Sequence, residues 1–457
     1  MTYFFVNLLS VVFIMSWESK SFFAIVLGLF FTASILFASE ETELSPDAVL
    51  LDKLVEKNLI SEDEARECKK NIAEQPVITS PNLNKVRCGG YFQWRYYSMW
   101  QDYNSPYASG KISENDFSMP RLVIKVFADL QDDMTSILAL NLADPEVFDT
   151  YFIRKKVDGE FLKGILDVGY SAPDFHMEST NGGRLRTLDR CILNTYWGGK
   201  DMGFDEYDYS SNAKQCFSGN HMGIFWQGKF PFDERFFYNI SIANAKGAYY
   251  REMNHDIGVS YWGSLGYATI SEDLDLKCGI NFGYSSNLFS VYDTTGGGSK
   301  ECSCLGVCPY LIMQYKNLYL HTESVVSNME YGKILSDDKP IYTTKSGDTM
   351  PYGIMIMVGY TIDIGTWGKL EPLFRFSYLY TDGGGVAEGN VLAKANSPNG
   401  YYNRAFAYYG GLNWYINSYY TKVMLGVEHL RFSDSPTRSY AKSGVANMIG
   451  LQLQLEY

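Results

Sequence analysis

Ile449-Gly450-Leu451-Gln452-Leu453-Gln454-Leu455-Glu456-Tyr457 is the stretch that decides the fold class. Ile449, Leu451, Leu453, Leu455 and Tyr457 fall on one face of a strand, and Gly450, Gln452, Gln454 and Glu456 on the other, because side chains of an extended chain alternate. Such a strand suits the edge of a soluble sandwich or the wall of a transmembrane barrel, which is apolar toward lipid and polar toward its lumen. The rest of the chain favours the barrel.

The 457 residues include 36 Tyr, 28 Phe and 8 Trp, yet the mean hydropathy is only -0.17. Alternating strands hide from a hydropathy average, whereas membrane helices do not. Beyond the N-terminal region no run of 18 or more apolar residues occurs, which excludes a membrane-spanning helical bundle. Gly is frequent, at 41, as many turns require. A net charge of -13 and a pI near 5.0 exclude nucleic acid as a partner, since phosphates would be repelled.

The same alternation recurs from Val86 onward. Phe92, Trp94 and Tyr96 alternate with Gln93, Arg95 and Tyr97, and Leu122, Ile124 and Val126 with Arg121, Val123 and Lys125. Phe374, Phe376, Tyr378 and Tyr380 alternate with Arg375, Ser377 and Leu379; Val423, Leu425 and Val427 alternate with Lys422, Met424, Gly426 and Glu428. Isolated charges thus share a face opposite the aromatic one. Gly-rich stretches such as 293–299 and 381–385 read as outer loops. At roughly 20 to 25 residues per strand with its share of loop, residues 86–457 predict an all-β, antiparallel transmembrane barrel of about 16 strands. That number implies a water-filled channel rather than a plugged core.

The N-terminal region reads differently. Lys20 precedes an apolar stretch from Phe22 to Phe37, followed by Ala38, Ser39 and acidic residues, so residues 1–39 form an export signal. Met15, followed by Ser-Trp-Glu-Ser-Lys20, makes a more ordinary start than Met1. Residues 40–85 are expected to be a periplasmic helical segment and linker. Val49, Leu50, Leu51, Leu54 and Val55 form a helical stripe, and Ser61-Glu-Asp-Glu64 is a capping box opening a second helix. Two such helices cannot bury a core alone, so they are expected to pack on one another or on neighbouring copies.

Several stretches carry a resemblance: Gly411-Leu-Asn-Trp-Tyr-Ile416, Lys422-Val-Met-Leu-Gly-Val427, Glu371-Pro-Leu-Phe-Arg375 and the terminal Gly450 to Tyr457, with Tyr238 to Asn244 and Val168-Gly-Tyr-Ser-Ala-Pro173 leading to Leu188-Asp-Arg190. Over most of residues 47–457 the chain resembles the phosphate-selective porin O and P family, in the variant with a short helical segment before the barrel. The resemblance implies a trimeric outer-membrane porin of a Gram-negative-type bacterium that passes anions, with the stretch after Val168 folding inward to narrow the pore. Ser171 and Ala172 stand about where that family has Phe and Lys. The expected partners are small anionic solutes, outer-membrane lipid, the barrel assembly machinery and further copies of the chain, with no cofactor. A general non-selective porin, or a structural or adhesive barrel working through its outer loops, is the alternative.

Candidate lumen cations are Arg95, Arg121, Lys125, Arg154 and Arg375 on strands, with Arg184, Arg186 and Arg190 on the constriction loop. Guanidiniums facing a narrow water column favour phosphate-like anions through field and bidentate hydrogen bonds. The competing reading pairs each with a carboxylate on the wall. The eight cysteines suit an oxidising compartment. Cys191 and Cys216 bracket the loop after Arg190 and could staple it; Cys68 and Cys88 are the N-terminal pair, and Cys278 falls on a strand. Cys302, Cys304 and Cys308 read as an outer-loop cluster in which a disulfide is favoured over metal, no His being near in sequence. The five His, at positions 176, 221, 255, 321 and 429, are scattered singly, with His221 and His255 read as loop residues, and no nucleophile elbow occurs, so no catalytic residue is expected.

Overall fold

The computed structural model describes residues 83–104, 109–130, 133–143, 148–159, 163–178, 185–198, 217, 220–244, 259–285, 290–293, 298–301, 303–333, 347–382, 403–417, 421–433 and 443–456. The expected export signal, nearly all of the helical segment and linker, Arg184, Cys68, Cys216, Cys302, His255 and Tyr457 lie outside them.

Sixteen antiparallel strands form the wall. In chain order they are β1 Leu83–Asn104, β2 Ser109–Leu130, β3 Met134–Asn141, β4 Phe148–Asp158, β5 Lys163–Ser171, β6 His221–Phe230, β7 Asp233–Asn244, β8 Val259–Ile270, β9 Leu274–Ser285, β10 Cys304–Tyr315, β11 Leu318–Lys333, β12 Tyr352–Tyr360, β13 Lys369–Tyr380, β14 Arg404–Asn417, β15 Thr421–Ser433 and β16 Ser443–Glu456. Gly347–Thr349 prolongs the β12 side and Ile362–Asp363 pairs with the start of β13. Ser290–Asp293 and Gly298–Glu301 form a separate two-stranded ribbon across the expected Gly-rich loop. The wall begins at Leu83, inside the stretch read as linker, because Val86 is the first strongly apolar signal and the strand starts before it.

The barrel closes by pairing β1 with β16. Trp94 lies opposite Leu453 and Tyr96 opposite Leu451, while Gln93 faces Gln454 and Arg95 faces Gln452. Like therefore meets like on each face. Gln93 Nε2 donates to Gln454 Oε1 at 2.8 Å and Arg95 Nε to Gln452 Oε1 at 2.9 Å, so the polar seam is satisfied internally. A one-residue slip would turn both glutamines to lipid, which fixes the register.

The outer surface is apolar along the strands, with Ile224, Ile242, Leu265, Phe282, Phe374 and Leu451 all exposed. Its ends carry aromatics. Tyr352 packs on Tyr380 at 5.2 Å at one rim, and Phe236 on Tyr267 at 5.1 Å at the other. Trp414 Nε1 also donates to Trp367 O at 2.7 Å at that second rim. An apolar band between aromatic girdles is the exterior of a membrane-spanning barrel. Connections at the Trp367 rim are short, such as 231–232, 271–273 and 316–317, whereas the opposite rim carries the longest ones, such as 172–220 and 381–403.

Candidate functional site

The connection from β5 to β6 turns into the barrel. Gly169 has a φ of +142°, and a β-carbon there would lie 2.7 Å from Phe152 Cα, so only glycine suits this kink. Pro173 then offers no N–H to continue a ladder. Phe175, Leu188, Leu193 and Trp197 of the inward segment are all fully buried, in one apolar cluster with Met355, Leu379, Leu430 and other inner-wall residues. A short helix, α1 (Ile192–Gly198), packs on β12 and β13, and Trp197 Nε1 donates to Ser327 Oγ at 2.9 Å. The wall accommodates this closely. At Gly450 a β-carbon would come within 2.6 Å of Leu188 Cδ1.

Strand number implies a water-filled lumen, and within it this segment builds an apolar core against the inner wall. The expectation that the stretch after Val168 folds inward matches its course.

Charged wall residues fasten the segment. Arg95 Nη1 lies 2.8 Å from Asp189 Oδ1, and its Nη2 also donates to Leu188 O. Arg375, fully buried, donates from Nη1 to Glu178 Oε1 at 2.9 Å and to Asp189 O at 2.8 Å, and from Nη2 to Glu428 Oε1 at 2.8 Å. Arg186 is ion-paired with Glu371 and its guanidinium sits 3.7 Å from the centroid of Tyr319. Lys422 Nζ donates to Leu185 O at 2.6 Å, and Asn413 Nδ2 to Arg186 O at 2.8 Å.

The expected basic residues therefore have different surroundings. Arg95, Arg186 and Arg375 are bound to carboxylates at the segment, and Arg154 is held bidentately by Asp167 on the wall, at 2.8 Å for both contacts. Arg121 and Lys125 face inward beside Tyr91, the Lys125 ammonium 5.7 Å from its ring centroid. Arg190 lies at the end of the anchored stretch, partly buried. Alternation also places Lys277 inward, 5.1 Å from the Phe237 ring, a further lumen cation that the period of β9 makes legible in the sequence.

Electrostatics of the segment follow from these neighbours. Burial pushes the Asp189 carboxyl up, but Arg95, Arg375 and Arg121 outweigh it and hold the group below its ordinary value. Asp174 goes the other way: burial raises it and Lys277 offsets only part of that. Burial and the nearby Glu178 push the Cys191 thiol well up, so it is not a reactive thiolate.

Two other expectations are corrected. Cys304 and Cys308 are buried inward positions of β10 rather than outer-loop residues, because the strand starts at Cys304. His221 begins β6, its Nδ1 2.9 Å from Asn244 O, instead of lying in a loop. His176 and His321, single in sequence, meet on Glu323.

No protein-family model and no curated protein matches the chain. Among solved structures, OmpT of Vibrio cholerae, an outer membrane protein in trimer form, is similar at 11% identity and a TM-score of 0.46, over 82% of this chain and 100% of that one. An anion-selective porin from Comamonas acidovorans gives 11% and 0.46 over 82% and 99%. The outer membrane channel DcaP of Acinetobacter baumannii gives 9% and 0.46 over 83% and 99%. Likenesses at this level are to other outer-membrane barrels and extend no further.

Proposed function

We propose that the protein is an outer-membrane diffusion channel whose passage runs past the inward segment, and that it prefers small anions such as phosphate. The observation that carries this reading is the division of the interior. One side is packed and charge-neutralised, with Arg95, Arg186 and Arg375 each bound to carboxylates. The other keeps Arg121, Lys125 and Lys277 only partly buried on the inner face, where Arg154 is held by Asp167. Cations beside a narrow water column are screened less than in bulk and act on a permeating ion through the local field. Whole-chain acidity matters little to that flux, because the narrowest stretch controls it.

Purified protein reconstituted in a planar bilayer under a salt gradient should conduct with an anion-directed reversal potential. Lys125→Gln with Lys277→Gln should shift that potential toward zero and weaken block of chloride current by phosphate. A cation-preferring wild type would overturn the anion reading and leave a non-selective porin; absence of conductance would favour a barrel acting through its loops. We infer further that the chain assembles as a homotrimer, which mass measurement in detergent tests.

A further inference from the structure

His176, Cys308 and Glu323 bring an imidazole nitrogen, a thiol sulfur and a carboxylate oxygen within 4.8 Å of one another, all three residues buried. They come from three separate stretches: the inward segment, β10 and β11. His176 Nδ1 lies 2.9 Å from Glu323 Oε2, and Cys308 Sγ lies 4.0 Å from the same oxygen. His321 precedes Glu323 by two positions on the same face of β11 and puts Nε2 2.7 Å from Glu323 Oε1. The backbone N–H of Glu178 donates to that oxygen at 3.0 Å and helps fix the carboxylate.

We infer that His176, Cys308, Glu323 and His321 bind a divalent transition metal of the zinc class, which ties the inward segment to the barrel wall. The donor chemistry selects the metal. One thiolate, two imidazoles and a carboxylate suit zinc and its neighbours, whereas calcium and magnesium require oxygen donors. Charge supports it as well: a dication with one thiolate, one carboxylate and two neutral imidazoles is neutral overall, as a buried site requires. Binding displaces the Cys308 thiol proton, and any proton shared on the imidazoles, to solvent, with no change of oxidation state. Metal–donor distances of about 2.0–2.3 Å set neighbouring ligand atoms on the order of 3.5 Å apart, so Cys308 Sγ, 4.0 Å from Glu323 Oε2, closes in while the imidazoles, 2.9 and 2.7 Å from the carboxylate oxygens, back away. This inference stands apart from the channel reading, since a fastened segment is needed whatever crosses the barrel.

The test uses the full chain, refolded in detergent under reducing conditions without metal and then titrated with cobalt(II). A thiolate-to-cobalt charge-transfer band with tetrahedral visible absorption is expected, and zinc should displace it to about one ion per chain. Cys308→Ser should abolish the band while the sheet circular dichroism stays that of the wild type. His176→Gln should weaken zinc by at least roughly 100-fold, the upper range for changes just outside a ligand shell. Folded wild type that yields no thiolate–cobalt band and keeps no zinc through dialysis would show the cluster to be held by protons alone and overturn the inference. Zinc affinity unchanged in Cys308→Ser would overturn it equally.

Discussion

Arg375 is shared by two buried carboxylates, Glu178 on the inward segment and Glu428 on the neighbouring wall, with no water-exposed surface on the guanidinium side chain. Removing it would strand both acids, a change that typically costs about 3–5 kcal/mol. Arg375→Gln should therefore loosen residues 185–198, read as lost hydrogen-exchange protection there, while the wall strands keep theirs. At Asp189 the effect is set by pH. Its carboxyl is held below the ordinary value, so its bond to Arg95 stabilises the segment fully above the usual carboxylate range and is lost as pH falls through the lowered value. Protection factors around Leu188 to Ile192 should fall in acid, and Asp189→Asn should remove that pH dependence. The inward direction of Arg95 and Arg375 was legible from strand alternation alone. Their partners were not, since Glu178 lies 197 residues from Arg375 and Asp189 lies 94 from Arg95, distances at which no local pattern speaks.

Among the elements, β1 and β16 were the most legible, because an apolar face and a polar face written in period two leave one register that satisfies both. The seam they form should be needed for closure. Deleting Leu455 to Tyr457 is expected to abolish membrane insertion, measured by membrane fractionation. The inward segment was less legible: its apolar residues, Phe175, Leu188, Leu193 and Trp197, follow neither period strictly, and their burial depends on inner-wall residues contributed by distant strands. Gly450 marks one contact between the two. Gly450→Val should displace Leu188, at about 1–3 kcal/mol for overpacking, with β-sheet content and insertion unchanged and protection at Leu188 reduced.

On the scale of the molecule, β5 and β6 are direct neighbours, and Ser171, the last residue before the excursion, is paired with His221, the first after it. The ladder of the wall therefore runs on without reference to what lies between. Closing a chain of about fifty residues whose ends the sheet already holds together costs only on the order of 3–4 kcal/mol of loop entropy. Replacing residues 172–220 by a short turn should accordingly leave a closed barrel that inserts normally and conducts more than the full chain. Container and contents are thus written in separate passages of the sequence: the wall can be inherited whole while its filling is rewritten by changing a single connection.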